Sequence, residues 1–499
     1  MYGAAPTARA AFAVYIALTF LLAYLARRQA TGGGFLREFF VGGRTIGPWV
    51  LGLTWIATSA SGGTFIGTPS LAHSNGWSVM LWISGYMVVA TVGFGLLGTR
   101  IAQLGERTGA LTFPDLLRDR FQSRAIGVMS GVAMLVLHTS FIVAQYIAGA
   151  RVLEVALGVP YVWGVASFAV IVAVYTAYGG FRAVAWTDSF QAVVMLVGVL
   201  LTAGFGLWKA GGMQAVHDGL AAQSPDLLTP VGPSEFLPLP AAISFFFIWP
   251  LAVAGQPSLI TRFLACRDAV SLRRAAVLIG CYVLLLYPAI IFVGILGRVL
   301  VPDLAASDHA MPATILAAVP AALAGLVLAA PMAAIMSTIS SFLLVAAGAI
   351  ARDLYQRNAP GSVGEARVRA VTHGSIAAVG LAGALFALRP PEYLQYIVVF
   401  SGTGLAATFL APTLFSVYWP RMNRAGCLAG ILAGFVTFLV QYAAFGTRSV
   451  VGLDPFVPSL VASVLGCWLG SRAGKPEPRG LLEKYFSSEE LDEGASAGL

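Results

Sequence analysis

The sequence predicts an all-α membrane protein that crosses the bilayer thirteen times. Of the 499 residues, 58% are hydrophobic and 10% are charged, and the apolar residues form runs of membrane-spanning length. Because a bilayer core of roughly 30 Å takes about 20 apolar residues per helix, such a chain holds about a dozen helices. Little of it remains for a large soluble catalytic domain.

Thirteen apolar runs follow one another along the chain, separated mostly by short polar loops. They cover residues 8–26, 47–72, 77–100, 126–150, 160–178, 185–208, 238–261, 275–298, 321–351, 370–388, 393–418, 424–445 and 455–471. The first run has no basic segment before it, so we expect an uncleaved helix rather than a signal peptide.

The distribution of basic residues predicts the orientation. Loops after odd-numbered runs contain 24 of the 30 Lys and Arg residues, and cytoplasmic loops collect such residues. We therefore expect the amino terminus outside and the carboxyl terminus in the cytoplasm. Since the net charge of +8 is spread over many loops, a nucleic-acid partner is not expected. The four cysteines lack paired spacing, which argues against a disulfide framework or a zinc site.

Two runs are interrupted by residues that weaken a helix. The second contains TSASGGT at residues 58–64, and the seventh contains Pro250, Gly255 and Pro257. Because these runs are five apart, we predict two five-helix repeats, spans 2–6 and spans 7–11, each beginning with a discontinuous helix. Inverted repeats of this kind place an ion and solute site at the middle of the bilayer. Ordinary kinks filled by neighbouring side chains are the alternative.

This reading divides the chain into six parts. They are an extra helix with its loop (1–46), the first repeat (47–208), an external loop (209–237), the second repeat (238–418), spans 12 and 13 (419–471) and a cytoplasmic tail (472–499). We expect a short surface helix in the external loop. The tail is too short to fold alone, and we expect it to be solvated.

Several polar residues stand inside the apolar runs. The ninth run contains Ser337, Thr338, Ser340 and Ser341, hydroxyls of the kind that alkali cations prefer, although such residues also bond to carbonyls of their own helix. Asp188 is the one carboxylate that we place inside a run. An acid there has a functional role, is hydrated near the membrane surface, or caps the amino end of its helix. His138 and Gln145 share one helix face, where they line a cavity or, for the histidine, fill the core.

Motifs in order along the chain resemble the sodium:solute symporter family. They are FFVGGR at 39–44 with GP at 47–48, the interrupted second run, GGFRAVAWTD at 179–188, GQP at 255–257 with Arg262, and AIMST at 334–338 followed by DLY at 353–355. The resemblance extends from residue 35 to about residue 470. It implies the leucine-transporter-type inverted repeat, with one extra helix before the core and two after it.

Within that family, the chain most resembles the sodium/pantothenate symporters. The similar segments are GARVLE at 149–154, LTP at 228–230, GRVLVPDL at 297–304, AAPMAAIMST at 329–338 and PPE at 390–392. Trp249 and the GQP motif instead resemble the proline symporter. Two positions differ from it, however: this chain has Val253 where that symporter has its next aromatic residue, and Ser59 where it has an acid in span two. A site without a carboxylate favours a neutral or anionic solute. Pantothenate fits, and short monocarboxylates, proline or another amino acid are alternatives.

The resemblance also implies the residues that bind ions and solute. It implies a sodium site formed by the carbonyls of Ala57, Ala60 and Ala334 and the hydroxyls of Ser337 and Thr338. Two-sodium members have a further site, which matches Asp188, Ser337, Ser340 and Ser341, whereas in one-ion members the acid matching Asp188 lies on the release path. We expect one or two sodium ions and no organic cofactor. The solute cavity is expected among Thr58, Ser59, Ser61, Gly62, Thr64, His138, Gln145, Trp249, Gln256, Tyr396 and Ser401.

We therefore expect sodium-coupled uptake of a small organic solute by alternating access across a bacterial plasma membrane, without an obligatory protein partner. Two other classes stay open. An intramembrane serine hydrolase would use Ser59, Ser61 and His138, but the sequence has no Gly-x-Ser-x-Gly elbow and no acid placed to orient the histidine. A transporter-like sensor would need an output domain, which we do not find in this sequence.

Overall fold

The computed structural model describes residues 6–27, 34–447 and 453–491. These residues form helices and no strand; a single bridge joins Ile46 to Cys266. The helices are α1 Pro6–Arg27, α2 Phe35–Val41, α3 Pro48–Ser59, α4 Thr68–Asn75, α5 Ser78–Thr108, α6 Phe113–Phe121, α7 Arg124–Leu157, α8 Tyr161–Lys209, α9 Met213–Gln223, α10 Leu239–Ala254, α11 Pro257–Ala265, α12 Ala269–Leu300, α13 Ala310–Ala318, α14 Ala321–Asn358, α15 Glu365–Ala387, α16 Gln395–Tyr418, α17 Arg424–Phe445, α18 Phe456–Ala473 and α19 Arg479–Leu482.

Many of these helices have the length and composition of membrane spans. Among the described residues, nine qualify: α5, α7, the second part of α8 (Gly179–Lys209), α12 and α14 to α18. Helices α10 and α11 together make a tenth, bent by 44°. Shorter apolar helices, Arg9–Leu25 and Tyr161–Val174, lie at the first and fifth predicted runs. The chain is thus an all-helical protein with multiple apolar helices.

Helices α3 and α4 are the two halves of the interrupted second run. Helix α3 ends at Ser59, because Ala60 has a ψ of 88°, and the chain resumes as a wide helical turn at Gly63–Gly67. The side chain of Gln145 on α7 accepts a hydrogen bond of 2.8 Å from the amide of Gly62. A Cβ atom at Gly62 would lie 2.6 Å from the Cβ of Ala148. Glycine is therefore required where the break packs against α7.

The seventh run is also discontinuous, as predicted. Helix α10 contains Pro250 and ends at Ala254, and α11 begins at Pro257, which has no amide hydrogen to continue the ladder. A Cβ atom at Gly255 would lie 2.7 Å from the Cα of Ala406, so the break is pressed against α16. Both predicted breaks thus occur where Gly and Pro lower the cost of leaving the helix.

Spans five and six are joined through a left-handed residue. Helix α8 runs from Tyr161 to Lys209, but Gly180 inside it has φ 61° and ψ −176°, which no helix contains. The two predicted runs therefore remain separate helical segments. In the predicted external loop, α9 forms the expected short helix.

The centre of the bundle is formed by α14 and α16. In an apolar stretch of 18 consecutive residues in each of these helices, 83% of the residues are buried inside the protein, whereas the corresponding share in α17 and α18 is 22%. The hydroxyl-rich segment of α14 therefore lies deep inside the bundle, and α17 and α18 lie at its periphery.

The described part of the tail, residues 472–491, is largely exposed, as expected, but two of its residues, Tyr485 and Phe486, are buried. Tyr485 is 1% exposed, and its hydroxyl donates a hydrogen bond of 2.6 Å to Asp119 of the α6 helix. The guanidinium of Arg120 lies 5.3 Å from the ring centres of both Tyr485 and Phe486. Cation–π contacts and aromatic burial offset the entropy lost on ordering the segment. Residues 492–499 of the predicted tail lie outside the described residues.

Candidate transport site

Hydroxyl groups of α14 meet the carboxyl end of α3 at the first break. The Oγ of Ser337 donates to the carbonyls of Ala57 (2.7 Å) and Ala334 (3.0 Å). The Oγ1 of Thr338 lies 3.4 Å from the Ala57 carbonyl and 3.2 Å from that of Thr58. All of these residues are buried. Four of the five predicted sodium-ligand residues therefore converge between the two helices.

The fifth, Ala60, is the residue at which the backbone leaves the helix. The converging atoms are neutral, hard oxygens, which suit an alkali cation better than a transition metal. Among the described residues, no group of three or more His, Cys, Asp or Glu side chains is arranged to hold a metal. These hydroxyl and carbonyl oxygens are therefore suitable ligands for sodium.

Asp188 and Ser341 meet around a buried guanidinium group. One carboxylate oxygen of Asp188 accepts from the Thr54 hydroxyl (2.6 Å) and from Arg262 (3.3 Å). The same guanidinium nitrogen donates to Ser341 (2.7 Å), whose hydroxyl is 3.1 Å from that of Thr58. Asp188 is 0% and Arg262 is 1% exposed. When the basic residues of the loops were counted, Arg262 was assigned to the loop after the seventh run. The structure corrects this assignment, because the side chain lies inside the bundle.

The four residues of the predicted second ion site do not converge on one point. Ser340 donates to the carbonyl of Ser337 in its own helix (3.1 Å), and the hydroxyl of Ser337 belongs to the first set. The second carboxylate oxygen of Asp188 has no hydrogen-bond partner among the described residues, which leaves it available to a cation or a proton. The guanidinium of Arg262, however, already supplies a positive charge 3.3 Å from the other carboxylate oxygen of Asp188.

A small cavity lies beside the two helix breaks. Its volume is about 30 Å³, which accommodates one or two water molecules and no organic solute. Ser61, next to the first break, and Gln256, which precedes α11, both line it. It is lined by Ser59, Ser61, Thr64, Thr68, Ile83, Tyr86, Phe141, Trp249, Ala252, Val253, Gln256, Tyr287, Gln395, Val398, Val399, Gly402 and Thr403. None of these lining residues is acidic or basic.

An aromatic cluster separates this cavity from a second one, the larger cavity, of about 320 Å³. The indole nitrogen of Trp249 donates to the carbonyl of Trp82 (2.7 Å), and the two ring centres lie 4.7 Å apart. Trp249 lines the small cavity and Trp82 lines the larger cavity. The pair thus closes one side of the small cavity.

The chain matches known proteins over most of its length. The model of the sodium:solute symporter family matches residues 39–434. The sodium/pantothenate symporter of Escherichia coli K12 is 34% identical over 468 residues, which are 93% of this chain and 96% of that protein. That of Haemophilus influenzae is 32% identical over 93% of this chain and 95% of its own. The sodium/proline symporter of Staphylococcus aureus is 29% identical over 93% and 92% of the two chains.

The chain belongs to the sodium:solute symporter family. Its fold resembles that of a Na⁺-coupled sialic acid symporter solved in a substrate-bound outward-open state, with a TM-score of 0.77, 19% identity and coverage of 95% of this chain and 99% of that one. A nucleobase-cation-symport-1 family transporter aligns with a TM-score of 0.56, 14% identity and coverage of 92% and 98%. This symporter is an integral membrane protein that carries a small organic solute with sodium, and it is not an enzyme.

The eleven residues predicted to line the symporter's solute cavity fall into three groups. Five line the small cavity: Ser59, Ser61, Thr64, Trp249 and Gln256. Five others lie elsewhere: Thr58 beside Ser341, Gly62 and Gln145 in mutual contact at the break, and His138 and Ser401 bonded to carbonyls of their own helices. The last, Tyr396, is 47% exposed and lines the larger cavity.

Five polar residues of the small cavity were missed: Thr68, Tyr86, Tyr287, Gln395 and Thr403. The hydroxyl of Tyr287 lies 3.3 Å from that of Thr64, and the hydroxyl of Tyr86 donates to the carbonyl of Ser59 (3.4 Å). Gln395 is buried, and its side-chain oxygen has no hydrogen-bond partner among the described residues. The sequence pattern indicated its neighbour Tyr396 instead. Gln395 could have been found from the sequence, because it is a neutral polar residue at the start of an apolar run.

Proposed function

We propose that this symporter uses one sodium ion to drive the uptake of a small organic carboxylate, with pantothenate as the first candidate. One observation carries the proposal: the hydroxyls of Ser337 and Thr338 reach from α14 to the carbonyls at the end of α3. A sodium ion that binds these oxygens joins the two helices. It thereby stabilises the conformation in which the adjacent break binds solute, and the solute must tighten sodium binding by the same factor.

The polarity of the small cavity supports a carboxylate. Its polar groups are hydroxyls and amides without an acid, so a free amine would lack a counter-charge. Ser61 and Gln256 stand where second half-helices begin, and the amino ends of helices favour anions. Pantothenate, the solute named for two of the relatives, has a carboxylate, hydroxyls and an amide to match these groups.

Proline is the second candidate. The apolar surface of Trp249 in the cavity favours it, as does the similarity to the sodium/proline symporter. The absence of an acid among the described residues that line the cavity disfavours it, because proline carries a secondary ammonium group.

We infer a stoichiometry of one ion from the position of Arg262. Its guanidinium occupies the space between Asp188 and Ser341, where the second ion of two-sodium members would bind, and two positive charges at that separation repel each other. In this proposal the Asp188–Arg262 pair forms an inner gate on the release path. A second ion would require Arg262 to leave its partners.

The proposed topology has thirteen spans in two five-helix inverted repeats, with the amino terminus outside and the carboxyl terminus in the cytoplasm. The helix breaks at Ala60 and Gly255, five predicted spans apart, support the repeats. The excess of basic residues in alternate loops supports the orientation. The Trp82–Trp249 pair then closes the outer side, so the structure is occluded, and transport requires the small cavity to open and expand.

Uptake into proteoliposomes identifies the solute. An inward sodium gradient is imposed, and the accumulation of labelled pantothenate, proline, pyruvate and acetate is compared. We expect sodium-dependent accumulation of pantothenate that the other three solutes do not inhibit. Accumulation of proline without pantothenate would replace the first candidate by the second, and accumulation of pyruvate or acetate alone would indicate a short monocarboxylate.

A further inference from the structure

The larger cavity has a lining that differs in charge from that of the small cavity. Its volume of about 320 Å³ lies at the lower end of the range of small-molecule sites, roughly 300–1,000 Å³. It lies where α5, α10, α16 and the end of α17 meet two loop segments, one before α10 and one before α18. The residues that matter for its chemistry are Trp82, Glu235, Phe245, Tyr396, Tyr442 and Asp454.

Asp454 is a buried carboxylate without a counter-charge. It is 6% exposed, and one of its oxygens accepts a hydrogen bond of 2.8 Å from the amide of Phe456 at the start of α18. The other oxygen has no hydrogen-bond or ion-pair partner among the described residues. Burial raises the pKa of this carboxyl from its usual 3.8 to about 7. A cation next to the unpartnered oxygen would stabilise the ionised form.

The rest of the lining adds negative charge and no positive charge. Glu235, in the loop between α9 and α10, is exposed and has no ion-pair partner in the part of the chain that the structure describes. No Lys, Arg or His side chain of that part lines the cavity. The larger cavity therefore attracts a cation and repels the carboxylate that we propose as the transported solute.

Aromatic rings form much of the remaining wall. The ring centres of Trp82 and Phe245 lie 5.1 Å apart, and Tyr396 and Tyr442 contribute two further rings from α16 and α17. Aromatic faces attract organic cations, and burial against apolar surface stabilises a hydrocarbon body but not a hydrated metal ion. Rings beside a buried carboxylate therefore favour an organic ammonium ion over an inorganic cation.

Hydrogen bonds on both sides of the larger cavity hold these groups in place. The amide of Asp454 donates to the hydroxyl of Ser244 on α10 (3.3 Å), and its carbonyl accepts from the amide of Val457 (3.0 Å). Across the cavity, the carbonyl of Trp82 accepts from the indole of Trp249. The cavity is therefore preformed, which lowers the entropy cost of binding.

We propose that the larger cavity binds a small organic ammonium ion, with the ammonium group at Asp454 and the hydrocarbon body against the aromatic rings. This ligand differs in charge from the proposed solute, and its site does not depend on which solute is transported. A failure of pantothenate uptake would therefore leave this proposal standing.

Calorimetric titration of the purified full-length protein in detergent tests the contact with Asp454. Phenethylammonium is titrated onto wild type, onto Asp454→Asn, which keeps an oxygen for the amide of Phe456, and onto Asp226→Asn, an exposed acid between α9 and α10 that does not line the cavity. We expect one saturable site whose affinity falls about tenfold in Asp454→Asn, as for the loss of one charge-assisted contact, and is unchanged in Asp226→Asn. Equal affinities in all three proteins would overturn the proposal.

Three further probes test the ligand class on the wild-type protein alone. Phenethyl alcohol has the same hydrocarbon body without the charge, hydrocinnamate has it with the opposite charge, and methylammonium has the charge without the body. We expect all three to bind more weakly than phenethylammonium. Binding of any one of them as tightly as phenethylammonium would overturn the assignment. Equal melting temperatures without probe show that the variants are folded.

Discussion

Replacing Ser337 with alanine removes one proposed sodium ligand together with a hydroxyl proton that the carbonyls of Ala57 (2.7 Å) and Ala334 (3.0 Å) share. With sodium bound, an oxygen contact to a charge is worth about 1.5–3 kcal/mol. Without sodium, the same hydroxyl contributes about 1 kcal/mol to the neutral structure, and Thr338 remains near the Ala57 carbonyl. The difference of about 0.5–2 kcal/mol raises the sodium concentration for half-maximal uptake by about 2- to 30-fold.

The assay measures initial uptake into proteoliposomes as a function of external sodium at a saturating solute concentration. Ser340→Ala is the matched control, because this hydroxyl is equally buried on the same helix but donates only to the carbonyl of Ser337. We expect the control to retain the wild-type sodium dependence. An unchanged sodium dependence in Ser337→Ala, or the same shift in both variants, would refute the ligand assignment.

Three further perturbations follow from the structure. Arg262→Met leaves Asp188 buried without its ion-pair partner and should lower the free energy of unfolding by about 3–5 kcal/mol; adding Asp188→Asn should restore most of the melting temperature. Trp249→Ala removes a hydrogen bond and an aromatic pair, so an impermeant thiol reagent should label Ser59→Cys from outside about tenfold faster. Burial raises the pKa of Asp308 to about 7 from its usual 3.8. The folded protein therefore holds this proton more tightly, and stability falls as the pH rises through that interval, a loss that Asp308→Asn should reduce.

Each of these expectations has a result that contradicts it. A stable Arg262→Met protein would show that the guanidinium does not neutralise Asp188. Labelling of Ser59→Cys at the wild-type rate in Trp249→Ala would show that the tryptophan pair is not the outer barrier. If the melting temperatures of wild type and Asp308→Asn decrease by the same amount between pH 4 and pH 8, the Asp308 carboxyl does not cause the decrease in stability with pH.

The helix breaks could be predicted because local composition determines them. Gly62 and Gly63 follow a run of small polar residues, and Pro250 and Pro257 remove amide hydrogens, so each segment tolerates a break wherever the fold requires one. The hydroxyl cluster around Ser337 was visible for a similar reason, since four hydroxyls within five residues are conspicuous in an apolar run.

Features that depend on tertiary partners could not be read in this way. Arg262 looked like a loop residue because only its pairing with Asp188, 74 positions away, makes burial of the charge tolerable. Tyr485 looked like part of a solvated tail because its contact with Arg120 is not local in sequence. Gln395 was missed in favour of its neighbour because a change of one residue in a helix rotates the side chain by about 100°.

The reciprocal coupling between sodium and solute is the most direct measure of this mechanism. Binding of labelled pantothenate to the purified protein is measured in sodium and in potassium, and sodium binding is measured with and without pantothenate. The proposed ion site at the helix break predicts that each ligand tightens the other by the same factor, and that Ser337→Ala reduces this factor. Equal pantothenate affinity in sodium and potassium would contradict the coupling of the two helices by sodium.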